Sequence, residues 1–391
     1  HKEYRRQRQM CIRDRLGRGD VDYISVKISA IFSQINLLAW DDTLEQICAR
    51  LRRLYRAALP GRKFVNLDME EYRDLELTLA ALCKVLDEPE FVSARAGVVL
   101  QAYLPDSWGA QQRLTQWAKE RVKAGGEPIK VRLVKGANHA METVEAELHD
   151  WNIAPYTMKA DTDANFKRML EFACRPENAS AVRVGVGSHN LFDVALALEL
   201  REQNQVQGNV EIEMLEGMAN HQARAVEQVA GGILLYAPIV KQNDFGSALA
   251  YLIRRLDENT SPQNFLHDLF RITPDSDAWK KQRELFLTAW ERRNDVGAES
   301  HRALVYVADK AKFKNEPDSD WTQKARRESV EKAIANWKSS VPSDAEDLNK
   351  VLDQAKAAQP AWEALGEEGR AQVLQRCADV MVKYRDATIA C

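Results

Sequence analysis

The chain has 391 residues, of which 45% are hydrophobic and 29% charged, with a formal net charge of −3. That length accommodates two domains, or one large domain with an appendage. The near-neutral charge and the lack of any basic recognition motif argue against a nucleic-acid partner.

Residues 1–15, "HKEYRRQRQMCIRDR", begin without Met and carry no helical or strand period. They read as a basic tail or an artefact of sequence assembly and stand outside the fold argument. From residue 21 onward, short apolar runs alternate with amphipathic stretches. Ile24–Ile28 is the first candidate strand, followed by a helical period over Asp41–Ala57. Phe64–Leu67 precedes helix Arg73–Leu86. Gly97–Gln101 precedes Gln111–Ala124, and Ile129–Val134 precedes Ala140–Leu148. Val182–Gly187 leads to Phe192–Gln203, Val210–Met214 to Ala223–Val229, and Gly232–Tyr236 to Asp244–Asn259. Near-continuous apolar strands separated by helices mean a parallel sheet and an α/β fold. There are seven units and no Gly-rich dinucleotide turn. A TIM-like (β/α)8 barrel lacking its first βα unit accounts for that count better than an open doubly wound sheet. The barrel domain is placed at 16–295. From 296 to 391 the pattern becomes a polar linker and then helices, such as "RRESVEKAIANWKSS", with no strand alternation. This reads as the truncated start of a second module.

The cysteines at 11, 48, 83, 174, 377 and 391 are far apart with no CxxC, the pattern of reduced thiols in a cytoplasm. The histidines show no metal-ligand spacing, so no metal is expected. The longest apolar run, "GGILLYAPIV" at 231–240, is too short to span a bilayer.

In a barrel, chemistry gathers where strands end. Here those ends are polar: Lys27, Asp68, Gln101, Arg132 with Lys135, then Ser188, His189 and Asn190, then Glu213 and Glu216, and last Tyr236. Such a series suggests one shared pocket. Lys27, within "YISVKIS", either snorkels to solvent or reaches a bound anion or Asp68. Gly136 suits a backbone approached closely by a ligand, or simply a turn. "GVGSHN" is not a dinucleotide motif. In the helix 244–259 that contains "AYLIRRLDEN", Phe245, Leu249, Leu252 and Leu256 form an apolar stripe, and Tyr251, Arg254, Arg255 and Glu258 fall away from it. That face is either solvated, its ion pairs worth at most about 0.5 kcal/mol, or a clamp of two guanidiniums for a carboxylate. With no nucleophile triad and no metal spacing, a bound organic cofactor is the better carrier of chemistry.

Read in order, "ISVKISA", "NLDMEEYRDLELTL", "VLQAY", "VRLVKGA", "YTMK", "GSHN", "EMLEGM", "LYAP" and "AYLIRRLDEN" resemble the proline dehydrogenase domain of the proline utilization A family. The tail resembles the start of that family's aldehyde dehydrogenase module. The resemblance implies a distorted barrel holding FAD that oxidises L-proline to Δ1-pyrroline-5-carboxylate, with hydride passing to flavin N5 and electrons on to a membrane quinone. It implies that Lys27, Arg254 and Arg255 hold the proline carboxylate, with Asp68 beside Lys27. Leu133, Leu215, Tyr236 and Tyr251 would pack the pyrrolidine ring. Gln101 and Arg132 would address the isoalloxazine. Lys135, Gly136, Ala137, Thr157, Lys159, Ser188, His189 and Asn190 would line FAD, with Glu213, Met214, Arg255 and Glu258 opposite and Phe265 near the adenine. NAD would belong to the part of the second module beyond this chain. A cytoplasmic, peripherally membrane-associated homo-oligomer is implied for full-length members. Asn138 and His139 depart from the family's usual aromatic pair and raise the case for another cyclic imino acid. The alternative function is a non-catalytic fragment serving as an assembly surface.

Overall fold

The computed structural model describes residues 15–237, 264–303, 317–337 and 348–390, together with 242, 245–246, 249, 253 and 315. Two compact units divide at Asp318: His1–Asp318 and Ser319–Cys391.

In the first unit, seven parallel strands pair in sequence order. They are β1 (Tyr23–Lys27), β2 (Phe64–Asp68), β3 (Arg95–Gln101), β4 (Ile129–Val134), β5 (Val182–Gly187), β6 (Val210–Leu215) and β7 (Leu234–Tyr236). The sequence-predicted strands match these closely. β3 starts two residues earlier than predicted and β7 two residues later, and at β1 Ile28 opens a short helix, Ile28–Ile31, so that Lys27 becomes the last strand residue. The sheet curls so far that side chains of its two outermost strands meet, although those strands do not pair. Tyr23 of β1 and Tyr236 of β7 meet hydroxyl to hydroxyl at 2.8 Å, with their rings edge-on. This curled parallel sheet is what a TIM-like barrel requires.

Helices cover the outer face: α1 (Trp40–Ala58), α2 (Leu75–Leu86), α3 (Asp106–Lys123), α4 (His139–His149), α5 (Lys159–Ala173), α6 (Leu191–Gln203), α7 (Asn220–Ala230) and α8 (Asp277–Glu291). The first shows why they form. Ile47, Leu51, Leu54, Tyr55 and Ala58 recur at helical spacing and are buried, while Asp41 and Asp42 in the first turn and Arg56 in the last complement the helix dipole. Asn190 starts α6 by accepting the Phe192 N–H on its side-chain oxygen at 3.0 Å. Two helices, α5 and α8, have no counterpart among the sequence-predicted ones. In α5 the reason is physical: every residue from Thr162 to Leu170 is buried, five of them polar or charged, so no apolar stripe stands out. Of the predicted helix 244–259 only 245–246, 249 and 253 are described; Tyr251, Arg254, Arg255 and Glu258 lie outside the described residues.

Segment 296–303, read from sequence as linker, lies against the barrel. The Tyr156 hydroxyl donates to the Gly297 carbonyl, and the Arg168 guanidinium donates to the Val296 carbonyl at 2.9 Å. In the second unit the described residues form helices α9 (Lys324–Asn336), α10 (Leu348–Ala364) and α11 (Gly366–Lys383), with a short terminal turn of helix.

Candidate active site

Strand alternation sorts each strand into a helix-facing set and an interior set. The register aligns the interior residues across the sheet: Tyr23 beside Phe64, Lys27 beside Asp68, Gly97 beside Lys130, Arg132 beside Gly185, Gly187 beside Glu213, and Leu215 beside Tyr236. The interior therefore carries Tyr23, Lys27, Asp68, Lys130, Arg132, Glu213 and Tyr236, interspersed with Phe64, Leu215 and glycines, whereas Val65, Leu67, Val131 and Leu133 are buried on the other face.

A cluster of charges and rings fills that interior. The fully buried Glu213 carboxylate takes Lys130 Nζ on one oxygen at 2.6 Å and Arg132 Nε on the other at 2.6 Å, and it also accepts the Tyr236 hydroxyl proton. The Arg132 guanidinium lies 3.6 Å over the Tyr236 ring and donates to the Tyr23 hydroxyl at 3.0 Å. Lys130 sits over the Tyr23 and Phe64 rings and reaches Glu211 at 2.8 Å. Burial works against its charge, but Glu213 and then Tyr23 and Glu211 outweigh that and raise its pKa. A Cβ on Gly185 would stand 2.0 Å from Glu213 Oε1, so only glycine leaves room for this carboxylate.

A second cluster surrounds the loop after β4. Lys135 Nζ lies 2.6 Å from Asp163 and 2.7 Å from Asp193. Lys159 reaches Asp163 at 2.5 Å, and the buried Lys167 reaches Asp193 at 3.0 Å. Burial resists ionisation of both aspartates, but Lys135 and its lysine neighbours overcome it and hold their pKa values below the ordinary range. Lys159, desolvated and near Lys135, is shifted down. Three ammoniums on two carboxylates leave a surplus positive charge. Beside it, Gly136 has φ +123° and packs so tightly that a Cβ would come within 2.5 Å of the Tyr103 ring.

Ser188, His189 and Asn190 follow β5. His189 Nε2 accepts the Leu215 N–H at 3.0 Å, so the ring proton belongs on Nδ1, which is buried and has no partner among the described residues. Burial also lowers the imidazole pKa and keeps it neutral. Asn190 is occupied as the cap of α6.

The proline dehydrogenase family profile matches residues 2–268. The chain belongs to the proline dehydrogenase family. It is 29% identical over 255 residues to the bifunctional protein PutA of Klebsiella aerogenes, covering 62% of this chain and 18% of that one. The PutA of Rhizobium meliloti is likewise 29% identical over 256 residues, with 62% of this chain and 19% of that one aligned. This chain thus spans about a fifth of the length of its curated relatives. Among solved structures, proline utilization A from Corynebacterium freiburgense is 41% identical with TM-score 0.75, covering 84% of this chain and 32% of that one. The Bdellovibrio bacteriovorus protein is 29% identical with TM-score 0.82, covering 100% of this chain and 44% of that one.

Within this proline dehydrogenase barrel, the predicted residues fall into groups. Gln101, Arg132, Glu213 and Tyr236 share the interior face, and Lys135 and Lys159 share one ionic cluster. Lys27 and Asp68 are register partners, but the Lys27 ammonium pairs with Glu70 at 2.8 Å, while Asp68 lies 3.7 Å from Arg132. Asp68 is the shorter side chain and stays at its own strand end; Glu70, in the following loop, has the reach. Leu133 and Met214 alternate onto the helix-facing side and are fully buried there. Leu215 is half-buried on the interior side. Ala137 is half-buried and Thr157 exposed, both in loops. Phe265 packs into an aromatic group, its ring 6.3 Å from Phe192, which in turn contacts Trp279 and Phe286. Asn138 and His139 tie loops together: Asn138 donates to the Glu70 carbonyl at 2.7 Å, and His139 Nε2 lies 3.1 Å from the Tyr156 carbonyl. Sequence reasoning missed Tyr23, Glu70, Lys130, Asp163, Lys167 and Asp193. The signal for Lys130 was its alternation with Arg132 inside "IKVRLV".

Proposed function

We propose that this chain oxidises L-proline to Δ1-pyrroline-5-carboxylate, with FAD as the flavin that membership of this family implies. The observation that carries the reading is the coincidence of the family match over 2–268 with a polar barrel interior ending in a cationic, glycine-bearing loop. The residues suit such a cofactor. Lys135, Lys159 and Lys167, two aspartates short of neutrality by one charge, favour a diphosphate beside Gly136, Ala137 and Thr157. His189 Nδ1–H is a buried donor with no acceptor among the described residues, and Ser188 and Asn190 are next to it. A bound FAD supplies the two-electron acceptor.

The chain's own residues then do the following. Gln101 and Arg132 address the isoalloxazine. Arg254 and Arg255 clamp the proline carboxylate, with Lys27 adding a third cation whose charge Glu70 balances. Tyr236, Tyr251 and Leu215 wall the ring and exclude water, which favours the neutral amine needed for oxidation. Leu133 and Met214, being helix-facing, back their strands instead of touching ligands. Glu258 and Phe265 complete the cofactor side. For the whole protein, the reading extends to electron transfer to a membrane quinone from a cytoplasmic, peripheral homo-oligomer. It also takes 296–391 as linker and the start of an aldehyde dehydrogenase module that uses NAD elsewhere.

The test is a visible absorption spectrum of the purified chain before and after anaerobic L-proline. Flavin bands that bleach are expected. A flavin-bearing protein that proline leaves oxidised would overturn the substrate, and a chain that takes up no FAD would overturn the cofactor.

A further inference from the structure

We propose that Lys130 and Glu213 are positioning residues, an ion-paired strut inside the barrel that aims Arg132 and Tyr236 toward the barrel mouth. The proposal rests on the proline-oxidising reading for its consequence, but its geometry stands apart from any ligand.

Glu213 divides its two oxygens. Oε1 is taken by Lys130 at 2.6 Å, leaving Oε2 for Arg132 Nε at 2.6 Å and for the Tyr236 hydroxyl. Arg132 is thus held by one edge only. The rest of its guanidinium reaches Tyr23 at 3.0 Å and Asp68 at 3.7 Å and stacks on Tyr236 at 3.6 Å. An arginine facing a carboxylate with both oxygens open closes on it as a two-pronged fork. Lys130 prevents that by occupying one oxygen. It is itself fixed, buried between Glu211 and the rings of Tyr23 and Phe64. Glycine at 185 keeps the space for the carboxylate open. Glu213, assigned by sequence to the cofactor, therefore acts through Arg132.

Lys130→Met retains the stem and removes the charge, so Arg132 is expected to rotate into a bidentate contact with Glu213. A crystal structure of the variant reads this with or without flavin; an unmoved Arg132 would overturn the proposal. The second readout is FAD affinity of the apo chain, followed by quenching of flavin fluorescence. Lys130→Met should weaken it roughly tenfold, and Lys130→Arg should restore most of it. Lys130→Met combined with Glu213→Gln should lose little more than Glu213→Gln alone, because both act at one point. Losses that multiply, or an affinity for Lys130→Met within twofold of the parent, would sink the strut. If Lys130→Met does not fold, Glu213→Gln carries the same test: it must weaken FAD binding or the idea fails. A parent chain that binds no FAD would count against the functional reading, while the Arg132 rotation still decides the strut.

Discussion

At the level of single residues, backbone conformation and burial set limits that chemistry cannot negotiate. Gly136 combines φ +123° with a Tyr103 ring that a Cβ would strike at 2.5 Å. Gly136→Ala should cost at least about 2 kcal/mol, measurable as a lower urea midpoint. A variant as stable as the parent would show that the turn relaxes freely. Asp74 makes a separate prediction. Burial first, then the nearby Glu71, raises its carboxyl from the ordinary 3.8 to about 7, and its Oδ1 has no partner among the described residues. Below its ordinary value, folded and unfolded chains both hold the proton. As pH rises toward 7 the unfolded chain releases it first, so stability falls, by at most on the order of 4 kcal/mol, and then levels off. Asp74→Asn should flatten that slope between pH 4 and 7 in denaturation curves. An unchanged slope would assign it to other groups.

For whole elements, the question is what joins α5 and α6 to β4. Part of the answer is ionic: Asp163 on α5 and Asp193 on α6 both grip Lys135 just beyond the strand, and Lys167 of α5 returns to Asp193. Removing one partner from such a buried set strands the others. Asp193→Asn should therefore destabilise the chain by about 3 kcal/mol, read by urea unfolding, and a change below about 1 kcal/mol would mean that the network is solvated. The same network explains what the sequence concealed. The seven strands were legible because their helix-facing residues are uniformly apolar. Helix α5 was not, because its buried face carries Asp163, Asn165, Lys167 and Arg168, which a hydrophobic period reads as surface. The strand-end residues of the site were legible one by one. Their partners were not, since Glu70, Lys130 and Asp193 become meaningful only once register and helix packing bring them to a shared point.

For the molecule as a whole, the distribution of buried surface predicts how the chain yields to protease. The first unit holds a continuous apolar core running from Leu16 to Val226, closed laterally by the Tyr23–Tyr236 contact. In the second, neither α10 nor α11 has a buried residue, and Leu348, Leu352, Leu374 and Met381 are exposed. Helices gain most of their stability from packing an apolar face, and a helix that buries nothing opens readily. Among the described residues, trypsin should therefore cut within 348–390 first, at sites such as Lys356 and Arg376. A fragment containing 15–237 should persist, because opening it requires disrupting the sheet and its helical cover together. Mass spectrometry across a digestion time course follows both populations. FAD should slow the later loss of the persistent fragment, since a ligand bound only by the folded barrel lowers the open population, and should leave the early cuts unaltered. Early cleavage between β2 and β6, or an α10–α11 fragment that outlasts the barrel, would contradict this distribution of stability.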